Sequence, residues 1–337
     1  MKNNLTIAVD AMGGDNSPYK SLKGVDIFLK NNSNIKLVLL GNKPLMEKTI
    51  DDNNFHFENL EIIHTEDNIA NEDSANTILR NKKNSSIFQG LNLVKNNENY
   101  GFVSAGNTAA IMILSRMILG MIEGIDRPAI CSLIPNDKNF SIMLDLGANV
   151  NVSSKNLLEF AIMGSSYFSI MKPNIKPKIG LINIGTESNK GTEILQEASL
   201  IIKQSSLGEN FLGFVEPNVI TSGLCDILIC DGYTGNIVLK TAEGMSQFIT
   251  SNLRKIFYKS LVNKIAYKML EKDLNKFREY INPDKYNGAT LIGVNGISVK
   301  SHGSASPYAF SCAIEKCLNF LENKLINKLR EQTKIIN

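Results

Sequence analysis

The sequence predicts a doubly wound α/β/α sandwich, and three observations support that fold class. Short apolar runs recur along the chain, and each is followed by a glycine-containing turn and a helical pattern. The runs are apolar throughout, which is typical of strands covered on both faces. No Pro- or Ser-rich linker interrupts the alternation, so we expect one continuous sheet in a single domain over residues 1–337. The predicted strands are LTIAVD, IKLVLLG, LEIIH, YGFVSAG, PAICSLI, FSIMLDLG, KIGLINIG, FLGFVE, DILICDG and ATLIGV.

One region departs from this alternation, because two helical patterns follow one another between about 237 and 282 with no strand between them. In the second pattern most apolar side chains share one face and most basic side chains the other. The apolar face holds Val262, Ile265, Ala266, Met269, Phe277, Tyr280 and Ile281, and the basic side chains are Lys264, Lys268, Lys272 and Arg278. A basic amphipathic helix of this kind predicts contact with a membrane surface or a partner helix, or packing on the chain's own core.

The composition of the 337-residue chain excludes several function classes. A net charge of +3 gives no reason to expect a nucleic-acid partner. Five cysteines, three histidines and no C-x-x-C pair argue against a disulfide framework and against a metal site. The N-terminal apolar run is too short for a signal peptide, and the run AAIMILSRMILGMI is too short for a membrane span. We therefore expect a cytoplasmic protein with mostly buried cysteines.

In an open α/β sheet, ligands bind beyond the carboxyl ends of the strands, and no loop there fits G-x-G-x-x-G or a P-loop. The strongest anion-binding chemistry lies in NIGTESNKGTE, residues 183–193. Gly185 and Gly191 leave backbone amides free to face an anion, Lys190 adds a positive charge, and a helix begins near Thr192. A solvated lysine in a glycine turn explains the same residues equally well.

Two further loops combine glycines with polar side chains. DGYTGN ends an apolar strand and opens a helix, and SAGNTAA does the same earlier in the chain. The candidate residues in the first are Asp231, Gly232, Gly235, Asn236 and, one helical turn further on the same face, Lys240. In the second, Asn107 and Thr108 are candidates, although both are also ordinary helix-capping residue types.

VKSHGSAS, residues 299–306, contains the only histidine in a catalytic-looking loop. Lys300 and His302 point to the same side if Ser301 points to the other, and a helix N-terminus follows at once. A basic pair beside exposed amides, with Gly303 next to it, suits a phosphate or an oxyanion. A purely structural histidine is an equally good interpretation.

The N-terminal loop AVDAMGGDNSP carries a glycine turn between two carboxylates. Asp10 and Asp15 would repel an anion held directly in this turn, so phosphate is better placed at the Lys190 or the Lys300 loop. Gly13 and Gly14 more plausibly give a substrate arm or a neighbouring loop room to approach. We expect this loop to form the acidic wall of the site.

Eight motifs, taken together, occur in the order found in one family. They are DAMGGD, VSAGNTAA, GIDRPAI, LDLGANV, NIGTESNKGTE, CDGYTGNIVLKT, NGATLIGV and VKSHGSA. From about Ile7 to about Ile314 the chain resembles the bacterial phosphate acyltransferases of phospholipid synthesis. The resemblance implies transfer of a long-chain acyl group from acyl carrier protein to inorganic phosphate, giving acyl phosphate. It also implies a Rossmann-like, isopropylmalate dehydrogenase-like fold, a homodimer, and peripheral association with the membrane or a membrane acyltransferase.

For that reaction neither a cofactor nor a protein nucleophile is expected, because G-x-S-x-G is absent and phosphate can attack the thioester directly. The expected catalytic residues are Lys300, His302, Asp231 and Asn236. The expected substrate-binding residues are Asp10, Gly13, Gly14, Asp15, Asn107, Thr108, Gly185, Lys190, Gly191, Gly232, Gly235, Lys240 and Gly303. Two alternatives stay open: a phosphotransacetylase that acts on acyl-CoA, and a membrane-docked scaffold that recruits acyl carrier protein.

Overall fold

Eleven strands form one mixed sheet in the computed structural model, which describes residues 5–70, 72–280 and 282–334. The strands are β1 (Thr6–Asp10), β2 (Lys36–Gly41), β3 (Leu60–His64), β4 (Tyr100–Ser104), β5 (Ala129–Asn136), β6 (Asn139–Leu144), β7 (Ile179–Ile182), β8 (Phe211–Val215), β9 (Ile227–Ile229), β10 (Ala289–Ile292) and β11 (Ile297–Lys300). The helices are α1 (Tyr19–Leu29), α2 (Lys43–Asp52), α3 (Ala75–Asn81), α4 (Ser86–Asn96), α5 (Thr108–Leu119), α6 (Ser154–Met171), α7 (Glu193–Gln204), α8 (Gly232–Tyr258), α9 (Leu261–Tyr280), α10 (Pro307–Glu322) and α11 (Leu325–Lys334). In the sheet the strands lie in the order β3-β2-β1-β4-β11-β10-β5-β6-β9-β7-β8.

The two halves of the sheet run in opposite directions. β3, β2, β1, β4 and β11 are parallel to one another, and so are β6, β9, β7 and β8. Between them, β10 is antiparallel to both β11 and β5, and β5 is antiparallel to β6. The carboxyl ends of β1, β4, β11 and β5 therefore lie at one end of the sheet, which we call the upper end. Those of β6, β9, β7 and β8 lie at the opposite, lower end.

Helices cover both faces of this sheet, which confirms the predicted α/β/α sandwich. The larger core cluster lies on one face, where α1, α6, α10 and α11 pack. On the other face α4 and α5 cover the half that contains β1, and the first part of α8 lies over the half that contains β6. Strands such as β1 and β7 contain only buried residues, which is why their sequences are continuous apolar runs.

The structure differs from the sequence prediction in one strand and in the direction of several others. β11 was not among the predicted strands, because only two of its four residues, Ile297 and Val299, are apolar. The reversal around β10 also left no signal in the sequence. An apolar run predicts a buried strand, whereas its direction depends on which neighbour it pairs with.

The two consecutive helical patterns form α8 and α9. α8 begins at Gly232, and with 27 residues it is about 40 Å long, enough to lead from the lower to the upper end of the sheet. Val262, Ile265 and Met269 on α9 are 73%, 62% and 81% exposed, so this face does not pack on the chain's own core. Of the predicted faces, Ile281 and the side chains of Arg278 and Tyr280 lie outside the described part of the chain. Among the described residues, no helix has both the length and the apolar character that crossing a membrane requires.

Candidate active site

A cavity of about 1140 Å³ opens at the upper end of the sheet and continues along one face of β5 beneath α8. Loops that follow β1, β4 and β11 line one part of it with glycines and charged side chains. Apolar side chains from β5, α8 and α9 line the other part. We call the first part the polar head and the second the apolar groove.

Close backbone contacts build the polar head. A Cβ atom on Gly13 would lie 2.5 Å from both the Asp10 Oδ2 atom and the Gly106 backbone nitrogen. Gly14 has a φ of +79°, and a Cβ there would lie 2.6 Å from the Gly303 carbonyl oxygen, which also accepts a hydrogen bond from the Asp15 amide at 2.9 Å. The glycines of DAMGGD therefore let three loops meet.

Asp10 lies at the floor of the polar head and is 1% exposed. Its carboxylate accepts hydrogen bonds from the Ser104 hydroxyl at 2.6 Å and from the Met12 amide at 3.1 Å. Burial raises the pKa of the Asp10 carboxyl, while these hydrogen bonds oppose that shift. The aspartate thus fixes the ends of β1 and β4 to each other and contributes a buried acidic group below the cavity.

Two lysines stand near this aspartate. Burial lowers the pKa of Lys300 to about 8, with Lys20 and Lys240 adding to the shift and Asp10 opposing it. The Lys300 ammonium donates a hydrogen bond to the Ser301 carbonyl oxygen. Lys20, which is 3% exposed, donates to the Gly303 carbonyl oxygen at 2.6 Å, and burial also lowers its pKa. The polar head therefore carries two closely spaced, partly desolvated ammonium groups.

His302 follows Lys300 at the rim of the cavity. Its Nδ1 atom lies 2.9 Å from the Ser304 hydroxyl and accepts a hydrogen bond from the Ser304 amide at 3.3 Å. In the neutral ring this hydrogen bond leaves the proton on Nε2. Burial lowers the pKa of His302, and Lys240, Lys300 and Lys20 lower it further while Glu243 opposes them. A neutral His302 that can donate from Nε2 is the expected form near neutral pH.

The remaining upper-end candidates also line this cavity. Asn107 caps α5 by accepting a hydrogen bond from the Ala110 amide at 2.9 Å, and Thr108 follows it. On α8, Lys240 lines the cavity, and its ammonium pairs with the Glu243 carboxylate at 2.7 Å. Asn236, one turn nearer the start of the helix, also lines the cavity but lies beside Gly147 in the loop after β6, toward the lower end. Asp15 and Gly303 complete the set. The structure thus brings together most of the residues predicted from the first, second and last of the glycine loops.

The apolar groove was not predicted from the sequence. Alternate residues of β5 face it, and α8 presents a continuous apolar stripe toward it. Its apolar lining includes Ile69, Ile87, Ile130, Ile134, Leu146, Leu239, Ala242, Met245, Ile249, Leu253 and Phe277. The groove is continuous with the polar head, so a ligand with an anionic or polar end and a long apolar tail fits both parts at once.

The other predicted residues lie at the lower end, away from this cavity. Gly185, Lys190 and Gly191 follow β7, and none of the three lines the cavity. The Asn183 side chain ties that loop together, since its Nδ2 atom donates to the Lys190 carbonyl oxygen at 3.1 Å and its Oδ1 atom accepts from the Ile184 amide at 2.9 Å. Within a single chain these residues do not share a cleft with Lys300, because β7 and β11 end at opposite ends of the sheet.

Asp231, Gly232 and Gly235 also lie at the lower end. Asp231 caps α8: its carboxylate accepts from the Thr234 amide at 2.8 Å and from the Thr234 hydroxyl at 2.7 Å. A Cβ on Gly232 would lie 2.8 Å from both the Asn149 carbonyl oxygen and the Asp145 Oδ2 atom, and a Cβ on Gly235 would overlap the Asp145 carbonyl oxygen. These two glycines allow α8 to pack closely on the loop after β6.

Among the described residues we find neither a reactive cysteine nor a metal-binding cluster. Cys131, Cys225, Cys230 and Cys317 are buried, as expected, and Cys312 is partly exposed. Burial raises the pKa of each of the five thiols, which disfavours a nucleophilic thiolate. Within the described ranges, no group of three or more His, Cys, Asp and Glu side chains is placed to hold a metal ion.

Comparison with known proteins identifies the family. Residues 5–328 match the family described as "Fatty acid synthesis protein". A "Phosphate acyltransferase" of Pelagibacter ubique is 40% identical over 327 residues, which cover 97% of this chain and 98% of that protein. The chain belongs to the phosphate acyltransferase family. A second member, the "Phosphate acyltransferase" of Clostridium tetani, is also 40% identical, over 97% of this chain and 98% of its own length. The family predicted from the eight motifs is confirmed, and with it the prediction of an enzyme.

Solved structures show the same fold in more distant proteins. A phosphotransacetylase from Streptococcus pyogenes aligns with a TM-score of 0.63 at 16% identity, over 95% of this chain and 94% of that one. The EutD phosphotransacetylase from Staphylococcus aureus aligns with a TM-score of 0.60, also at 16% identity, over 95% of each chain. At this identity the likeness shows that the chain shares the fold of these two proteins.

Lys20, which contacts the loop after β11 from α1, was not among the residues predicted from the sequence. A signal was present, because Lys20 shares one helical face with Gly24 and Phe28, and both of those residues are buried. A lysine on the buried face of the first helix, directly after a glycine loop, indicates a charge that meets a partner inside the protein.

Proposed function

We propose that this chain transfers a long-chain acyl group from the thioester of acyl carrier protein to inorganic phosphate, giving acyl phosphate. The observation that carries the proposal is the continuity of the polar head with the apolar groove in one cavity of about 1140 Å³. Sites for drug-sized ligands span roughly 300–1,000 Å³, so this cavity is large for phosphate and a short acyl group alone. The apolar groove provides room for the long apolar tail of the acyl group.

In this proposal the polar head binds phosphate and stabilises the charge that develops on the thioester oxygen. Lys300, His302 and Lys240 line the head, and their donors act in a partly desolvated site, where such interactions are strongest. Asp10 and Lys20 hold the loops from below. Asn107, Thr108 and Asn236 position the thioester, and the glycines of DAMGGD leave room for the arm that carries it.

The reaction then needs no protein nucleophile. A phosphate oxygen attacks the thioester carbonyl carbon, the carbonyl oxygen becomes an oxyanion, and the carbon–sulfur bond breaks as the intermediate collapses. The leaving thiolate needs little help from an acid, because an unperturbed thiol has a pKa of about 8.5. Holding phosphate and thioester in line supplies much of the rate gain.

The direct test is loss of the acyl-carrier thioester as a function of phosphate concentration. We expect consumption of palmitoyl carrier protein that saturates with phosphate and yields acyl phosphate. Acyl-CoA as a parallel donor distinguishes a phosphotransacetylase, which would prefer it with short chains. Absence of any phosphate dependence with every donor would contradict the proposal and favour a carrier-binding scaffold.

The apolar groove can be tested by filling it. Ala242 lines the groove, so Ala242→Phe should reduce turnover of palmitoyl substrates more than that of butyryl substrates. The neighbouring Thr241 is exposed and does not line the cavity, which makes Thr241→Phe the matched control. Equal losses for both chain lengths in Ala242→Phe would contradict the use of the groove by the acyl tail.

A homodimer gives the lower-end residues a place in the same reaction. Val150, Ile184 and Tyr233 follow the neighbouring strands β6, β7 and β9, and they are 66%, 79% and 62% exposed. Apolar side chains grouped in this way around the Lys190 loop are typical of a protein interface. We further propose that a second copy of the chain packs against the lower end of the sheet. In that dimer Lys190 of one copy would contribute to the active site in the cavity of the other copy.

Mixed dimers test this arrangement. Lys190→Ala and Lys300→Ala are each expected to be inactive alone, whereas dimers that contain one copy of each would keep one intact site. About half of the activity of an intact dimer should return, after correction for the share of mixed dimers. No recovery in demonstrated mixed dimers would show that Lys190 does not act across copies.

Membrane association is proposed for the exposed helices. The second half of α8 and the length of α9 expose Phe248, Leu261 and Met269, and lysines accompany them. Such a surface inserts its apolar side chains at the headgroup boundary while the lysines meet anionic lipids. Flotation with anionic vesicles should recover the chain, and Met269→Glu should weaken recovery while Lys176→Glu, at an exposed site outside α8 and α9, should not.

A further inference from the structure

The short segment between α9 and β10 connects the exposed helices to the catalytic loop. Its residues Pro283–Tyr286 form one turn of 3₁₀ helix, and Asn287 and Gly288 follow before the strand begins. The same segment lies beside the loop that follows β11, so it contacts Ser301 and His302 directly.

Asn287 forms these contacts through both polar atoms of its side chain, Nδ2 and Oδ1. Its Nδ2 atom donates to the Ser301 hydroxyl oxygen and to the Ala309 carbonyl oxygen, both at 2.8 Å. Its Oδ1 atom accepts from the backbone amide of His302 at 3.0 Å. Ser301 and Ala309 are both fully buried. The Asn287 amide therefore joins the loop of the polar head to the helix that follows it.

This set of partners demands an amide. A carboxylate at the same position could accept from the His302 amide, but it would place a negative oxygen against the Ala309 carbonyl oxygen. Alanine would leave both the His302 amide and the buried Ala309 carbonyl without these partners. Position 287 therefore requires a side chain that both donates and accepts hydrogen bonds, which a turn alone would not require.

Two further contacts fix the segment that carries Asn287. The Lys316 ammonium donates to the Tyr286 carbonyl oxygen at 3.0 Å and to the Gly288 carbonyl oxygen at 2.7 Å, one on each side of Asn287. Ser306, the residue that caps α10, donates its hydroxyl to the Asp284 carboxylate at 2.7 Å. Asn287 is held on both sides, so its amide can fix the position of the Ser301–His302 backbone.

We infer that Asn287 is a positioning residue for the proposed acyl transfer, and that it sets the place of Lys300 and His302 at the phosphate end of the cavity. The inference rests on the proposed function. Asn287 does not line the cavity, so it acts through the Ser301–His302 backbone rather than on the substrate.

The test compares Asn287→Ala and Asn287→Asp with Asn282→Ala. Asn282 is the matched control, because it lies in the same segment and its side chain accepts from the Asp284 amide at 3.0 Å. In both Asn287 variants we expect kcat/KM for phosphate to fall by about tenfold to a hundredfold, since small displacements of binding groups have effects of that size. Asn282→Ala should keep kcat/KM for phosphate within about twofold of the parent chain.

A second readout does not depend on activity. The chain has three histidines, so an NMR titration resolves His302 from His56 and His64. Groups facing its ring are Lys240, Glu243, Lys300 and Lys20, and burial is the first cause of its lowered pKa. In Asn287→Ala the His302 pKa should rise toward its ordinary value.

The outcomes separate this inference from the proposed function. If the parent chain shows no phosphate-dependent thioester loss, the proposed function fails, while the His302 titration still decides the positioning role. If the parent is active and Asn287→Ala matches Asn282→Ala in both readouts, the positioning inference is overturned. A folded Asn287→Asp with reduced kcat/KM supports it even where the alanine variant is unstable.

Discussion

The upper and lower ends of the sheet use similar sequence motifs for different structural purposes. At the upper end, glycine loops after β1, β4 and β11 bring Asp10, Lys300 and His302 to one cavity, and Lys20 contacts these loops from α1. At the lower end, the loops after β6, β7 and β9 contain glycines, aspartates and a lysine but no histidine. There Asn183 and Asp231 bond to their own loop or helix.

The difference lies in what the glycines make room for. Gly13 and Gly14 allow neighbouring loops from separate strands to meet, so charged groups from distant parts of the chain converge. Gly232 and Gly235 allow one helix to pack on one loop, which fixes the course of α8. Because α8 starts at the lower end and is about 40 Å long, its packing there determines where Lys240 arrives at the upper end.

The largest effect should follow from adding a side chain at the upper-end meeting point. In Gly13→Val the Cβ atom would lie 2.5 Å from two atoms, one of them a backbone nitrogen, and two γ carbons add to the clash. We expect a loss of several kcal/mol of folding free energy, at or above the usual range of about 1–3 kcal/mol for overpacking, with activity abolished. Chemical denaturation and the thioester assay measure the two effects.

The matched lower-end change is Gly191→Val. Gly191 has a φ of +81°, and its nearest neighbours are atoms of one side chain, that of Asn183. Backbone strain should cost about 1–2 kcal/mol, less than at Gly13, because a side chain yields more easily than a backbone. Equal losses of folding free energy in Gly13→Val and Gly191→Val would contradict the idea that three loops meet at Gly13 whereas Gly191 lies in a single turn.

Much of the fold was predictable because both faces of the strands are buried. β1 and β7 are continuous apolar runs for that reason, and each is followed by a glycine turn that marks its end. The direction of the strands was not predictable from the same pattern, since an apolar run has the same composition in either direction. The lower-end residues were therefore grouped with the upper-end ones.

The part of the candidate site that lies within one loop was predictable from the sequence. Lys300 and His302 lie seven and five residues before Pro307, where α10 begins, and their sequence alone indicated an anion site. The apolar groove was not predictable, because Ile130 and Ile134 lie in a strand and Leu239 in a helix far away in sequence. Core side chains and groove side chains have the same composition, and only the fold separates them.

The pH dependence of the reaction should distinguish the two lysine loops. The pKa of Lys300 is lowered to about 8, so its positive charge is lost as the pH rises through that value. If charged Lys300 binds phosphate, kcat/KM for phosphate should fall about tenfold per pH unit above pH 8. In Lys300→Arg the descending limb should move to higher pH, because a guanidinium stays charged.

Lys190→Arg is the corresponding lower-end control. The Lys190 side chain is exposed, and the substitution preserves its charge across the same pH range. We expect the descending limb to stay near pH 8 in this variant. A limb that moves in Lys190→Arg and not in Lys300→Arg would assign the titrating phosphate ligand to the lower-end loop.

The smallest effect concerns Asp231, which tests whether a lower-end carboxylate acts as more than a helix cap. Asp231→Ala removes both hydrogen bonds to Thr234 and should cost about 1 kcal/mol, or about 2 °C in Tm for a chain of this size. Asp231→Asn keeps an acceptor for the Thr234 amide and should melt within about 1 °C of the parent chain, since Asn caps helices as well as Asp does. Thermal melts of the two variants measure the cap alone, and the thioester assay on Asp231→Asn measures the charge alone. Parent-like Tm with parent-like activity assigns Asp231 to the packing of α8. Parent-like Tm with a large loss of activity instead restores the catalytic role predicted from the sequence, and with it the need for a second copy to bring the lower end to the cavity.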